Sequence, residues 1–236
     1  MNRKQIFHVH TYRCGHAENI PEEEYIKKAI SLKATDIYFT DHAPFPGDIF
    51  MGRMKLSELY QYIDNLTLLK NKYKKIISIH IGLEIEYFPD FIDYYKKLKN
   101  QVEFLILGQH MYKINEIYSF MLPEEQLKKE EALGLCLAMI EGIETGLFTV
   151  CAHPDRMFRR QTYWNNEMSM LSKKIINLAY KHQVILEKNI SSMLTPNCYW
   201  PQFWNLVPEH VDTIIGIDAH KLSDLDLWNN YLEEKI

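Results

Sequence analysis

The chain has 236 residues, 47% of them hydrophobic, and a formal net charge of −4. This composition excludes global disorder, and the length suits one large α/β domain or two small ones. No long basic run is present, which argues against a nucleic-acid binder but leaves room for a small anionic substrate if a metal supplies local positive charge. The four cysteines form no C-x-x-C pair, the opening M-N-R-K-Q leads into only a short apolar run, and no window is apolar for long enough to cross a membrane. The expectation is a reduced, cytoplasmic protein without signal peptide or membrane contact.

Short apolar runs alternate with helical periods along the chain, the pattern of a parallel sheet flanked by helices. Ile6 to His10 reads as the first strand, and Pro21-Glu22-Glu23-Glu24 opens a helix with carboxylates at the positive end of its dipole. Asp36 to Thr40 is the next strand and ends at Asp41-His42. Ser57 is the expected N-cap of a helix carrying Leu59, Ile63, Leu66, Leu69 and Tyr73. Ile76 to Gly82 is a strand with Leu83-Glu84-Ile85-Glu86 at its end, and a short helix over about 90–98 leads to the strand Phe104 to Leu107. Pro123-Glu124-Glu125 opens a long helix that Gly146 closes. The remaining strands are Phe148 to Cys151, Val184 to Leu186 and Thr213 to Ile217, with helices over roughly 166–182 and from Leu225 onward, and an aromatic, proline-rich connection near Tyr199-Trp200-Pro201. The preferred architecture is a single domain over 1–236, an α/β barrel of about seven β/α units; a doubly wound sheet is the alternative, but neither nucleotide-binding glycine motif is present.

Histidines are not scattered over this plan. Of ten, His8, His10, His42, His110, His153 and His220 fall at the C-terminal ends of expected strands, and His16 lies in the loop after one; Glu84 and Asp218 share such ends. In a strand, residues two apart point to one side, so His8 and His10 are expected to converge. A β/α barrel gathers all strand C-termini on its active face. Mixed imidazole and carboxylate donors suit catalytic zinc, manganese or iron, and the set is too large for one tetrahedral ion, so two or three ions are expected.

The motifs H-V-H, C-G-H, T-D-H-A-P, G-L-E-I-E-Y, G-Q-H, A-H-P-D and I-D-A-H, running from His8 to His220, resemble in order the PHP (polymerase and histidinol phosphatase) superfamily. The opening H-x-H-T-x-x-C-G-H with D-H-A-P and G-L-E-x-E-Y-F resembles the PHP-type histidinol-phosphate phosphatases most. The resemblance implies a distorted (β/α)7 barrel with a trinuclear site. It implies a first metal on His8, His10, Glu84 and Asp218, a second on Glu84, His110 and His153, and a third on His16, His42 and His220, with Glu84, Asp218 and His220 as the catalytic group. The implied activity is hydrolysis of L-histidinol phosphate to L-histidinol and phosphate, a step of histidine biosynthesis, by a metal-bridging hydroxide attacking phosphorus. A PHP-type phosphodiesterase, exonuclease or other small-phosphomonoester phosphatase is the first alternative, and a non-catalytic metal-binding or polymerase-accessory domain the second.

Arg156 and Arg160, just after His153, and Arg53, after His42, are the expected phosphate-binding residues, because guanidinium pairs with phosphate bidentately. His80 reads as a core or helix-facing residue, His182 as a helix C-terminal imidazole and His210 as a loop residue. Cys14 lies between ligand candidates but reads as no ligand, Glu86 as a supporting group, and Tyr199-Trp200-Pro201 as packing.

Overall fold

Strand β1 (Gln5–Val9) opens the computed structural model, which describes residues 4–233. Helix α1 (Glu22–Ser31) follows, with Pro21 at its N-cap and three glutamates in its first turn, and buries Tyr25, Ile26 and Ala29. Next come β2 (Asp36–Phe39), α2 (Leu59–Tyr73), β3 (Ser78–Ile85), α3 (Ile92–Lys99) and β4 (Phe104–Leu107). A two-stranded antiparallel hairpin, β5 (Lys113–Ile114) and β6 (Ile117–Tyr118), precedes α4 (Glu124–Glu144) and β7 (Val150–Cys151). The chain continues through α5 (Asn166–His182), β8 (Ile185–Asn189), α6 (Ile190–Met193), α7 (Pro201–Trp204), β9 (Thr213–Gly216) and α8 (Leu225–Glu233).

Seven strands form one sheet in the order β1-β2-β3-β4-β7-β8-β9. The pairings β1–β2, β2–β3, β4–β7 and β7–β8 are parallel. The chain just after β9 pairs with β1: Ile217 N–H donates to Phe7 O at 2.9 Å and Ala219 N–H to His8 O at 3.0 Å. The last strand is thus followed by a segment bonded to the first, the connectivity of a (β/α)7 barrel.

Tertiary contacts divide the chain into two compact units. The first holds the chain up to Glu84, Lys97–Leu105 and Ile215 onward; its core includes Ile6, Tyr25, Ile37, Phe39, Tyr62, Leu66, Ile79 and Leu83. The second holds Ile85–Lys96 and Ile106–Ile214, with Leu107, Met139, Ile143, Leu186, Ile175 and Phe203 in its core. Complete burial of one such aliphatic or aromatic side chain stabilises by about 1.5–3 kcal/mol. No helix among the described residues is long and apolar enough to cross a membrane.

Several expectations need correction. Ser57 does not cap α2. A short 3-10 turn, Leu56–Glu58, precedes that helix, and its start is held by Glu58 Oε2 accepting from Lys55 N–H at 3.1 Å and Asp48 Oδ1 accepting from Leu56 N–H at 2.7 Å. Ser57 is the middle residue of that turn, whose N-cap is Lys55, so it is not placed to cap the helix. Strand β3 starts two residues later than expected and runs through Glu84, which therefore sits inside the strand. The β5–β6 hairpin was not expected, nor were the short helix α6 after β8 and α7 within the aromatic connection. Of the two readings of His80, core or helix-facing, the core one does not hold for this β3 residue. It is partly exposed, stacks on Tyr38 with ring centres 4.1 Å apart, and places Nε2 3.0 Å from Asp36 Oδ1.

Candidate metal centre

In the first unit, backbone pairing continues past the ends of β1, β2 and β9 and carries the polar residues with it. His10 N–H donates to Ala219 O at 2.9 Å, which sets Asp218 and His220 beside His8 and His10. Glu84 N–H donates to Asp41 O at 3.0 Å and Ala43 N–H to Glu84 O at 2.8 Å, which aligns His42 with Glu84.

His8 and His10 do converge, but not by simple alternation. The β1–β2 register shifts between Ile6 and Val9, and His8 takes a left-handed φ of 72°. A bulge of this kind re-aims a side chain. Asp218, with φ 58°, is held in the same region. A non-glycine residue there costs on the order of 1–3 kcal/mol and persists only where its surroundings impose it, which is typical of functional sites.

The side chains meet around two carboxylates. Glu84 Oε2 lies 3.3 Å from His8 Nε2, 3.4 Å from His10 Nε2 and 3.0 Å from His42 Nδ1. Asp218 Oδ1 lies 3.6 Å from His8 Nε2 and 3.3 Å from His10 Nε2. Imidazoles crowd together beyond them. The ring of His10 is 4.2 Å from that of His220 and 4.5 Å from that of His42, and the ring of His16 is 4.5 Å from that of His220. Three donor groups lie within metal-sharing distance here: His8 with His10 and Asp218, His10 with His42 and Glu84, and His16 with His42 and His220.

This donor set fits metal ions. His8, His10 and Glu84 are fully buried, and among the described residues both ring nitrogens of His10 and Nε2 of His220 have no hydrogen-bond partner. Buried polar atoms left so are costly unless something else binds them. Burial, then the neighbouring His220 and His42, pull the His10 imidazole well below its usual range. His16 and His220 are also lowered, in both cases chiefly by burial. The rings are therefore neutral at pH 7, as metal ligands must be. Cys14 completes a further group with His10 and His220, but burial pushes its thiol up to about 12, so it stays protonated.

Two other groups shape the first unit's cluster. Asp41 Oδ1 accepts from Thr11 N–H at 3.0 Å and from Thr11 Oγ1 at 2.9 Å, pinning the turn that leads to His16; burial raises its carboxyl to about 7. Asp224 Oδ2 accepts from His220 N–H at 2.9 Å, fixing that loop. Neither was singled out from sequence. Asp41 stands inside the D-H-A-P motif, but its partner Thr11 is remote along the chain.

The second unit brings His110 and His153 together, with ring centres 5.0 Å apart. Glu86 Oε1 lies 3.2 Å from His110 Nδ1, so His110 would offer Nε2 to an ion. His153 caps a 3-10 turn over Pro154–Phe158 with φ 33°, and its N–H donates to Glu187 Oε2 at 3.1 Å.

The three arginines expected to bind phosphate, and Arg159 beside two of them, differ in their surroundings. Arg156 bonds to Ser192 and Asn189, both buried. Arg160 pairs with Glu131 and Glu124, and Arg159 with Glu131 and the carbonyl of His110. In the first unit Arg53 donates to Ala43 O at 3.3 Å and lies over the rings of Phe45 and Phe50. Trp200 packs as expected: it is buried, and Asp155 Oδ2 accepts its N–H at 2.8 Å and the indole N–H of Trp204 at 2.9 Å.

The family model of the PHP domain matches residues 7–191. The chain belongs to the PHP domain family. Among curated relatives, it is 30% identical to the "Probable histidinol-phosphatase" of Deinococcus radiodurans over 156 residues, 63% of this chain and 59% of the relative. It is 32% identical to the histidinol-phosphatase of Bacillus subtilis over 97 residues, 39% of this chain and 36% of the relative. The matched stretch is thus under two thirds of either relative's length. Among solved structures, it resembles the histidinol phosphate phosphatase of Lactococcus lactis complexed with zinc, L-histidinol and phosphate. That likeness has a TM-score of 0.72 at 19% identity and covers 98% of this chain and 93% of the other. The PHP fold, an α/β (β/α)7 barrel, is common to both.

Proposed function

We propose that this PHP protein is a metal-dependent phosphomonoesterase whose substrate is L-histidinol phosphate, and that residues 1–236 act as one catalytic domain. The observation that carries this reading is the meeting of His8, His10, Glu84 and Asp218, fully or largely buried, with His16, His42 and His220 beside them. The names of the curated relatives, and the ligands bound by the Lactococcus structure, support the choice of substrate class.

His8, His10, His16, His42, Glu84, Asp218 and His220 in the first unit, and His110 and His153 in the second, are the proposed ligands of two or three divalent ions, zinc, manganese or iron. When bound, such ions make a nucleophile of water near neutral pH and offset charge on the phosphoryl oxygens. The protein's own groups do the rest. Burial favours the neutral imidazole at His10, His16 and His220, so their lone pairs need no proton removed at pH 7. Glu84 presents one oxygen to three imidazoles and would hold the ions' spacing, while Asp218 would share an ion with His8 and His10. Arg156 is the favoured phosphate contact and Arg53 the second; Arg160 is engaged by two carboxylates, which weakens its claim. A phosphomonoester dianion gains more from such a site than a singly charged diester.

The test is a screen of L-histidinol phosphate, other phosphomonoesters and oligonucleotides, with metal content measured on the same preparation. Selective turnover of L-histidinol phosphate by protein holding two or three metal equivalents is expected. Preference for oligonucleotides, with binding that weakens steeply in salt, would transfer the assignment to a PHP nuclease.

A further inference from the structure

Within the second unit a buried polar network joins Arg156 to the backbone of His153. Arg156 Nη2 donates to Ser192 Oγ at 2.8 Å and to Asn189 Oδ1 at 3.4 Å, and Nε donates to Ser192 Oγ at 3.1 Å. Asn189 Oδ1 also accepts from Ser192 N–H at 2.9 Å, capping α6. On its other side Asn189 Nδ2 donates to Glu187 Oε2 at 3.3 Å, the same oxygen that accepts His153 N–H. Ser192, Asn189 and Glu187 are all fully buried.

Each atom in this chain has a directional task. The carboxamide of Asn189 must offer its oxygen to a guanidinium and its nitrogen to a carboxylate, which only an amide does at that size. An arginine side chain has considerable rotamer freedom, part of whose loss an anion would otherwise have to overcome on binding. Here the Nε–Nη2 edge is already fixed on two buried oxygens, so much of that ordering precedes the ligand. We propose that Ser192 and Asn189 are positioning residues that hold Arg156 in place for a phosphate group, in register with His153 through Glu187. This rests on the reading of Arg156 as a phosphate contact given above.

Ser192→Ala is the informative change. It removes the acceptor of two Arg156 bonds and leaves the α6 cap, which uses the Ser192 N–H, in place. The metal-loaded protein is titrated with inorganic phosphate by calorimetry, and KM and kcat for L-histidinol phosphate are measured alongside. Expected results for Ser192→Ala are phosphate affinity and KM worse by about tenfold, about 1.4 kcal/mol, kcat within about twofold, and an unchanged melting temperature. In a double-mutant cycle, Ser192→Ala should add nothing once Arg156→Ala is present. If Ser192→Ala melts early, Ser192→Cys, which keeps the volume with only a weak acceptor, takes its place. Independent, additive losses would overturn the proposal, as would wild-type phosphate affinity in either single variant. Non-additive phosphate binding in a protein that leaves histidinol phosphate intact would sink the substrate assignment alone; additive losses in an active phosphatase would sink the positioning role alone.

Discussion

Glu84 Oε2 is the atom around which His8, His10 and His42 gather, all within 3.4 Å. Glu84→Gln keeps the shape and removes the charge. Metal loss and a fall in kcat of about 100-fold or more are expected, on the scale of losing a supporting group at a metal. Elemental analysis showing full occupancy with near wild-type turnover would refute this. Asp41 gives a pH test. Its carboxyl, ordinarily near 3.8, is raised to about 7, first by burial. The folded protein therefore holds that proton at pH values where the unfolded chain has released it, and the associated stability is lost as pH rises through 7. Asp41→Asn mimics the protonated form and keeps an acceptor for Thr11. In metal-free protein, Asn should gain on wild type as pH rises from 5 to 8; a pH-independent difference in denaturant melts would contradict the assignment. At this scale the ligand candidates were legible, because histidines at strand ends stand out from a chain with only ten. The means of convergence was not, since a bulge and a left-handed His8 leave no mark in H-V-H. Asp41 was hidden because a hydrogen-bond partner 30 residues away cannot be read from a motif.

The elements were legible where periodicity was strong. All seven strands of the main sheet and the long helices fell near their expected places, but the β5–β6 hairpin did not. Its two turn residues, Asn115 and Glu116, have φ of 46° and 65°, the geometry of a type I′ turn that usually announces itself with glycine at the second position. Glutamate there, with strands of two residues each, gives almost no pattern. Two predictions belong to elements. Gly82 lies in β3 where an added Cβ would meet the Phe104 ring at 2.5 Å, and that ring is itself packed against Phe7 and Tyr38. Gly82→Ala should cost about 1–3 kcal/mol through overpacking; an unchanged denaturation midpoint would show that the ring can give way. Asn165 caps α5 by accepting from Met168 N–H at 2.9 Å. Asn165→Ala should cost about 1 kcal/mol, a melting temperature lower by about 2–4 °C, and leave substrate turnover unaltered.

For the molecule as a whole, strand order carried more information than any single motif. Seven short motifs, each weak alone, became specific because a parallel β/α sequence puts every strand's C-terminal end on the same side. That is compatible with 19% identity to the Lactococcus structure beside a TM-score of 0.72: the apolar periodicity that sets strands and helices can persist while many individual residues differ. Metal should also stabilise the chain, since an ion that binds only the folded state adds about 2.7 kcal/mol at a hundredfold excess over its Kd. The most direct test of the account is phosphate release from L-histidinol phosphate by chelator-stripped protein as zinc or manganese is returned stepwise. No turnover is expected without metal, with activity that saturates at two to three equivalents per chain and little action on oligonucleotides. Full turnover by metal-free protein, or a fully loaded protein that degrades oligonucleotides and leaves L-histidinol phosphate intact, would contradict it.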